Sequence, residues 1–208
     1  YFDPTAAYFG TKKACEPVHI QYNPIAEKVQ LVNISRKDFT SVEAHAEVLD
    51  IYGRRISADT CTTPLPVDTT LNVMDVRVPE GQDAYYLRLS LKADGEVLSE
   101  NFYVRSAGDS GLKSLLSLPA AEVNVKIHFR KNDGTVTCNA LVSNDSDVPA
   151  LMIRLNLKGT DGEQILPAFY PDNYFHLMPG ESRTVEISYR AEDARGVRPV
   201  LETSWLND

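Results

Sequence analysis

Cysteine is scarce in this chain: three in 208 residues, Cys15, Cys61 and Cys138. An odd, widely spaced set makes neither a disulfide framework nor the closely paired ligands of a zinc site. The three read as small buried hydrophobes. Apolar runs are short, and none approaches the roughly 18 residues that a membrane helix needs; no membrane partner is expected. Positive charge is in deficit. Twenty-one Lys and Arg against 29 Asp and Glu leave a formal charge of −8. Such a surface repels phosphate backbones, which argues against nucleic acid as a partner. Histidine is also sparse. His19, His45, His128 and His176 stand apart, each in or beside an alternating stretch. No metal site and no cofactor are expected from them. No signal peptide is visible. A chain that opens on Tyr1 reads as a piece of a longer protein and leaves its compartment open.

What the chain has in quantity is alternation. Asp3-Pro4 reads as an N-cap and first helical position for a short helix over "TAAYFGTKKAC", which Pro17 stops. From Val18 the period becomes two. Val29, Leu31 and Asn33 share one side of "KVQLVNIS". Val42, Ala44, Ala46 and Val48 oppose Glu43, His45 and Glu47, and Leu87, Leu89 and Leu91 oppose Arg88, Ser90 and Lys92. Half-buried antiparallel strands read this way, because successive side chains face opposite sides. Asp94-Gly95, Asp133-Gly134 and Asp161-Gly162 are hairpin signals. The rhythm breaks at 106–120, where Leu112, Leu115 and Leu116 fall at helical spacing, Asp109 or Ser110 can cap, and Pro119 ends the turn.

The halves on either side echo each other about 100 to 110 residues apart, the length of one immunoglobulin-like sandwich. "LVNIS" at 31–35 matches "LVSNDS" at 141–146. The turn at Tyr52-Gly53 matches Asp161-Gly162, and "VRVPEGQDAYYLRLSL" matches "FHLMPGESRTVEISY". The expected fold is all-β: two tandem immunoglobulin-like β-sandwiches joined by a short helical linker. A lead-in with a short helix spans 1–17, the first sandwich 18–105, the linker 106–120 and the second sandwich 121–208. The chain has one tryptophan and no Cys-Trp-Cys pattern, so it is no antibody-type domain.

Catalytic constellations are hard to find. "GDSG" at 108–111 overlaps the nucleophile motif of trypsin-like proteases, but no histidine stands in a matching motif, and Ser110 reads better as a helix cap. No carboxylate pair stands out. No catalytic residue is assigned. Asn33-Ile-Ser35 and Asn144-Asp-Ser146 fit glycosylation acceptors, yet lie where turns are expected. One loop stands out: Tyr170, Asp172, Asn173 and Tyr174, just before Pro179-Gly180. Aromatic faces stack on sugars, and Asp and Asn pair with hydroxyls. These four are the candidate carbohydrate-binding residues, against the plainer reading of a loop that covers a core edge. Pro179-Gly180 is a tight turn, since Pro presets φ and Gly supplies a positive one.

The segments "DPTAAYFGTKKACEPVHIQYN", "NFYVRS", "LKSLLSLP" and "ILPAFYPDNYFHLMPGESRTVEI" together resemble the C-terminal part of glycoside hydrolase family 2, in the branch of exo-β-glucosaminidases and β-mannosidases. "YFGTKKACEPVHIQY" resembles that family's exit from a TIM barrel into a trailing sandwich. "DNYF-L-PGE" resembles the last sandwich. The resemblance implies non-catalytic accessory domains, because the family's catalytic glutamates lie on the barrel. The implied partner is the barrel of the same parent chain, with oligosaccharide a second candidate. The implied parent is a retaining glycosidase acting on β-linked mannose or glucosamine, periplasmic or secreted in bacteria. A free carbohydrate-binding module and a tandem-sandwich adhesion or scaffold protein are the alternative readings.

Overall fold

The computed structural model describes residues 3–77, 84–106 and 111–208. The described chain divides into two compact units. One covers Thr11–Leu118. The other joins Tyr1–Gly10 to Pro119–Asp208.

Helix α1 spans Ala6–Ala14. It begins after Pro4, with the Thr5 carbonyl accepting from the N–H groups of Tyr8 and Phe9. Asp3 is not its cap: the carboxylate instead accepts from Arg154 at 3.0 Å and Gln164 at 3.2 Å.

The Thr11–Leu118 unit carries β1 (Val18–Asn23), β2 (Lys28–Asn33), β3 (Phe39–Leu49), β4 (Arg55–Leu65), β5 (Thr69–Asp75), β6 (Ala84–Ala93) and β7 (Glu96–Ser106). They form two antiparallel sheets, β1-β2-β5 and β4-β3-β6-β7. The alternating apolar positions meet between them. Val29, Leu31, Ala44, Leu87, Leu89 and Leu91 are fully buried. A 3-10 helix, Gly111–Ser117, follows β7. The proposed caps Asp109 and Ser110, and most of the "GDSG" stretch, lie outside the described residues.

The second unit repeats this plan with β8 (Val123–Asn132), β9 (Thr135–Asn144), β10 (Ala150–Gly159), β11 (Ala168–Phe169), β12 (Phe175–Leu177), β13 (Ser182–Arg190) and β14 (Pro199–Ser204). Its sheets are β11-β13-β9-β8 and β12-β10-β14. Cys138, Ala140, Val142, Ile153, Val185 and Ile187 fill its core, with Trp205 packed at the margin. The fold is therefore all-β, two immunoglobulin-like sandwiches in tandem, with short helical segments before and between them.

The hairpin signals form for the expected reason. Asp94 and Gly95 have φ of 52° and 83°, and Asp133 and Gly134 have 45° and 79°. Both central residues are left-handed, as a two-residue turn matching strand twist requires. Asp161-Gly162 closes a longer turn, in which Gly159 N–H reaches Glu163 O at 2.8 Å and Gly162 N–H reaches Gly159 O at 2.9 Å. The Tyr52-Gly53 turn has the same two bonds, from Asp50 N–H to Arg54 O and from Gly53 N–H to Asp50 O. That echo is structural.

A second echo is too. Asn33 and Asn144 sit at the same corner, each fully buried. Each amide oxygen accepts from the N–H and hydroxyl of the serine two residues on. Each amide nitrogen donates to the carbonyl four residues on, Lys37 or Val148. It also donates to a distant carbonyl, Leu65 or Leu177. The third echo fails. β6 pairs with β3, whereas β13 pairs with β9, so β6 corresponds to β14 and β13 to β5. Shared alternation produced that match. The cysteines also need correction: Cys138 is buried, Cys61 is half-buried and Cys15 is exposed.

Candidate functional site

The loop Tyr170–Tyr174 runs along one edge of β10, in the second unit. The other edge of β10 is taken by β14. On the loop side, β12 supplies conventional pairing only at Ala150–Leu177 and Ile153–Phe175, with a bulge between. Met152, in the bulge, has φ of 54°. Its N–H donates to His176 Nδ1 at 3.3 Å.

Beyond β12, side chains replace the missing strand. Asn173 Oδ1 accepts from Leu155 N–H at 2.8 Å, and its Nδ2 donates to Leu155 O at 2.9 Å. A carboxamide carries one donor and one acceptor side by side, so it can pair with a strand residue as a backbone would. Two residues on, the Tyr170 hydroxyl accepts from Leu157 N–H at 2.9 Å, and Leu157 O accepts from Ile165 N–H at 3.1 Å. Buried backbone groups must be paired, and here the loop pairs them.

The four candidate residues thus separate. Asn173 is 5% exposed, with both ends of its amide on β10. Burial raises the Tyr170 hydroxyl above the usual tyrosine range, and the Leu157 bond draws it part of the way back. Asp172 and Tyr174 are half-buried. Asp172 pairs with Arg183, whose guanidinium also lies 5.2 Å from the Phe175 ring centre. Tyr174 has φ of 58°, a left-handed conformation rare for a bulky residue. Its ring meets Phe9 at 6.0 Å between centroids and the Arg154 guanidinium at 5.9 Å.

Arg154 continues the surface. It holds Asp3, and it lines a polar basin of about 680 Å³ on the outer face of β10. Asn156, Lys158, Gln164, Glu192 and Glu202 line that basin; none of the four candidates does. Phe9, Asp3, Arg154 and Arg183 were not visible as site residues in the sequence. They come from distant segments, and no spacing rule links them.

His176 follows the loop and is held neutral. Burial, with a smaller contribution from the Arg183 charge, pushes its pKa down to about 4. Its Nδ1 acts as an acceptor, which agrees with a neutral ring. A folded pKa below the unfolded value means that the unfolded chain takes up the proton first. The contribution is complete above about pH 6.5 and is lost as pH falls towards about 4. We expect unfolding free energy to drop across that window and the drop to be smaller in His176→Gln. Urea titrations at several pH values would check this; equal slopes in both proteins would contradict it.

Among the described residues, no group of three His, Cys, Asp or Glu is placed to hold a metal ion.

Known proteins share this architecture. The family model described as the exo-β-D-glucosaminidase Ig-fold domain matches residues 101–207. An exo-β-D-glucosaminidase of Arthroderma benhamiae is 31% identical over 212 residues, covering 91% of this chain and 24% of that protein. A mannosylglycoprotein endo-β-mannosidase of Lilium longiflorum is 24% identical over 274 residues, covering 99% of this chain and 28% of that protein. Among solved structures, the exo-chitosanase CsxA of Amycolatopsis orientalis superposes with a TM-score of 0.88 at 25% identity, over all of this chain and 27% of that one. The chain spans about a quarter of the length of these relatives. With about half of its residues, 101–207, matched by the family model, the chain belongs to the exo-β-D-glucosaminidase Ig-fold domain family.

Proposed function

We propose that these 208 residues are a non-catalytic accessory part of a larger family 2 glycoside hydrolase, bracing its catalytic TIM barrel. The relatives in which the matching segment is about a quarter of the chain are named as glucosaminidases and an endo-β-mannosidase. The parent reaction follows as hydrolysis of β-glucosaminidic or β-mannosidic bonds with retention, through a covalent glycosyl-enzyme, on carboxylates outside these residues. Residues 1–17 would carry the chain away from the barrel, and 106–120 would link the sandwiches.

One observation carries the bracing role. The loop with the most sugar-like chemistry turns its most useful polar groups inward. The Asn173 amide and the Tyr170 hydroxyl are bonded to β10. That is what a rigid scaffold needs, and it speaks against a free carbohydrate-binding module. The finer proposal concerns Asp172 and Tyr174, the two candidates that keep partial exposure. They would border the substrate cleft of the parent.

The test is kinetic, in the full-length parent. Asp172→Asn and Tyr174→Phe each delete one polar contact while keeping shape. If they border the cleft, KM should rise about two- to tenfold with kcat little changed, the size of one lost hydrogen bond. Unchanged KM and kcat in both variants would leave the brace and remove the cleft. A parent with no activity on β-glucosaminides or β-mannosides would remove the proposed reaction.

A further inference from the structure

We propose that Glu16, His19, Ser99 and Asn101 form an acid-released latch that holds the segment leading into the first sandwich against β7. The motif "CEPVH" supplies Glu16 and His19, and β7 supplies the other two. Neither the family match nor the bracing role assigns them a task.

The latch is a closed set of bonds. Glu16 Oε1 accepts from Lys13 Nζ at 2.7 Å. Its Oε2 accepts from the Ser99 hydroxyl at 2.6 Å and faces His19 Nδ1 at 3.2 Å. The Ser99 oxygen accepts from Ile20 N–H at 3.3 Å, and Asn101 Nδ2 donates to Ile20 O at 3.1 Å. Two side chains of β7 therefore grip both backbone groups of one residue on β1. Ser99 and His19 are 3% and 5% exposed.

This geometry fixes the imidazole. Asn101 Nδ2 lies 3.3 Å from His19 Nε2 while donating to the Ile20 carbonyl. Turning the amide over would set its oxygen against that carbonyl oxygen. Nε2 therefore meets an N–H group and acts as the acceptor. The single ring proton sits on Nδ1 and points at Glu16. A second proton, from solvent, can go only to Nε2, where it would face the Asn101 N–H, donor against donor. Accepting it requires the amide to swing away and release Ile20 O. Glu16 attracts a cationic ring, but from the Nδ1 side, so it does not repair the conflict at Nε2.

Among the described residues, the in-register neighbours of the cluster on the packed strands are apolar. β2 places Val32 in register with His19, and β6 places Leu91 and Leu89 in register with Ser99 and Asn101. The charged groups bonded within the cluster are Glu16 and Lys13. Burial works to raise the Glu16 carboxyl, but the bonds from Lys13, Ser99 and His19 outweigh it and hold it below the usual carboxylate range. Glu16 therefore stays ionised as the pH falls, and the donor-against-donor conflict at Nε2 is what opens the latch. The cluster is no hydrolase triad: Ser99 is bonded to Glu16, and its oxygen stands 3.5 Å from the imidazole.

The first test needs no variant. Nitrogen-15 NMR of the 208-residue chain at about pH 7.5 should show His19 protonated at Nδ1 and bare at Nε2. A ring protonated at Nε2 would overturn the proposal. The second test is amide exchange, corrected for intrinsic rates. Between about pH 7.5 and pH 5, protection over Glu16–Ile20 should fall by about tenfold while β3 and β6, in the same sandwich and away from His176, hold. His19→Gln keeps an acceptor near the Nε2 position and cannot titrate, so its protection should stay flat. An equal fall in the variant, or no fall in the wild type, would overturn the latch.

Discussion

Asn144→Ala should destabilise the second sandwich by about 3 kcal/mol and lower its melting temperature by at least about 10 °C. Four bonds end on this one amide. Nδ2 donates to Val148 O at 2.8 Å and Leu177 O at 2.9 Å, and Oδ1 accepts from the N–H and hydroxyl of Ser146. Each bond is worth about 1 kcal/mol net. The cost falls on what remains: Leu177 O loses this donor, and Val148 O keeps only the longer bond from the Ser146 hydroxyl at 3.2 Å. Alanine fills none of that space. Asn144→Asp tests the donors specifically, because it keeps Oδ1 but turns a carboxylate oxygen towards two carbonyls. It should cost at least as much. Ser146→Ala removes one hydroxyl and should cost only about 1 kcal/mol. Trp205, the one tryptophan, packs on this core, so its fluorescence reports this unfolding. A loss below about 1 kcal/mol in Asn144→Ala would mean that relaxation or water repairs the corner.

The apolar part of this fold was legible because it obeys one rule. Val42, Ala44, Ala46 and Val48 alternate with charged or polar neighbours, and all four are buried. Register was legible at Asp94-Gly95 and Asp133-Gly134, where a two-residue turn leaves little freedom. The polar architecture was not legible. Asn33 and Asn144 read as turn residues, which is what local chemistry says of asparagine, and Asn173 as a sugar-facing amide. In the structure, five of the seven buried polar residues described are asparagines. Asn156 and Asn207 are the others, and Asn207 ties Leu151, Pro119 and Pro149 together. Asn33, Asn144, Asn173 and Asn207 each bond a backbone group far along the chain, at Leu65, Leu177, Leu155 and Leu151, and period-two patterning carries no information about those. The candidate site shows the same limit. Sequence placed Tyr170, Asp172, Asn173 and Tyr174 on one loop but gave no direction to any side chain. Direction is what separates an amide buried on Leu155 from a ring resting beside Phe9 and Arg154.

Asn173→Ala is where that difference becomes measurable, and we expect it to cost about 2–3 kcal/mol. The amide stands in for a strand residue at Leu155, whose N–H and C=O are left without those partners when it is removed. Asn173 Oδ1 also accepts from Tyr174 N–H at 3.1 Å, which helps hold Tyr174 in its left-handed conformation. Losing both should free the loop, so amide exchange at Leu155 and Leu157 should accelerate more than in β9. Tyr170→Phe is the graded comparison. It deletes only the acceptor for Leu157 N–H and should cost about 1 kcal/mol. The two residues act on neighbouring positions of one edge, so the double variant should cost less than the sum, because a loop freed by one loss has less left to lose at the other. The opposite pattern is equally readable. If Asn173→Ala left stability unchanged and weakened oligosaccharide binding by the parent, the amide would face sugar rather than β10. The loop would then be a recognition surface, and its bonds to β10 would be only the resting state of an unoccupied site.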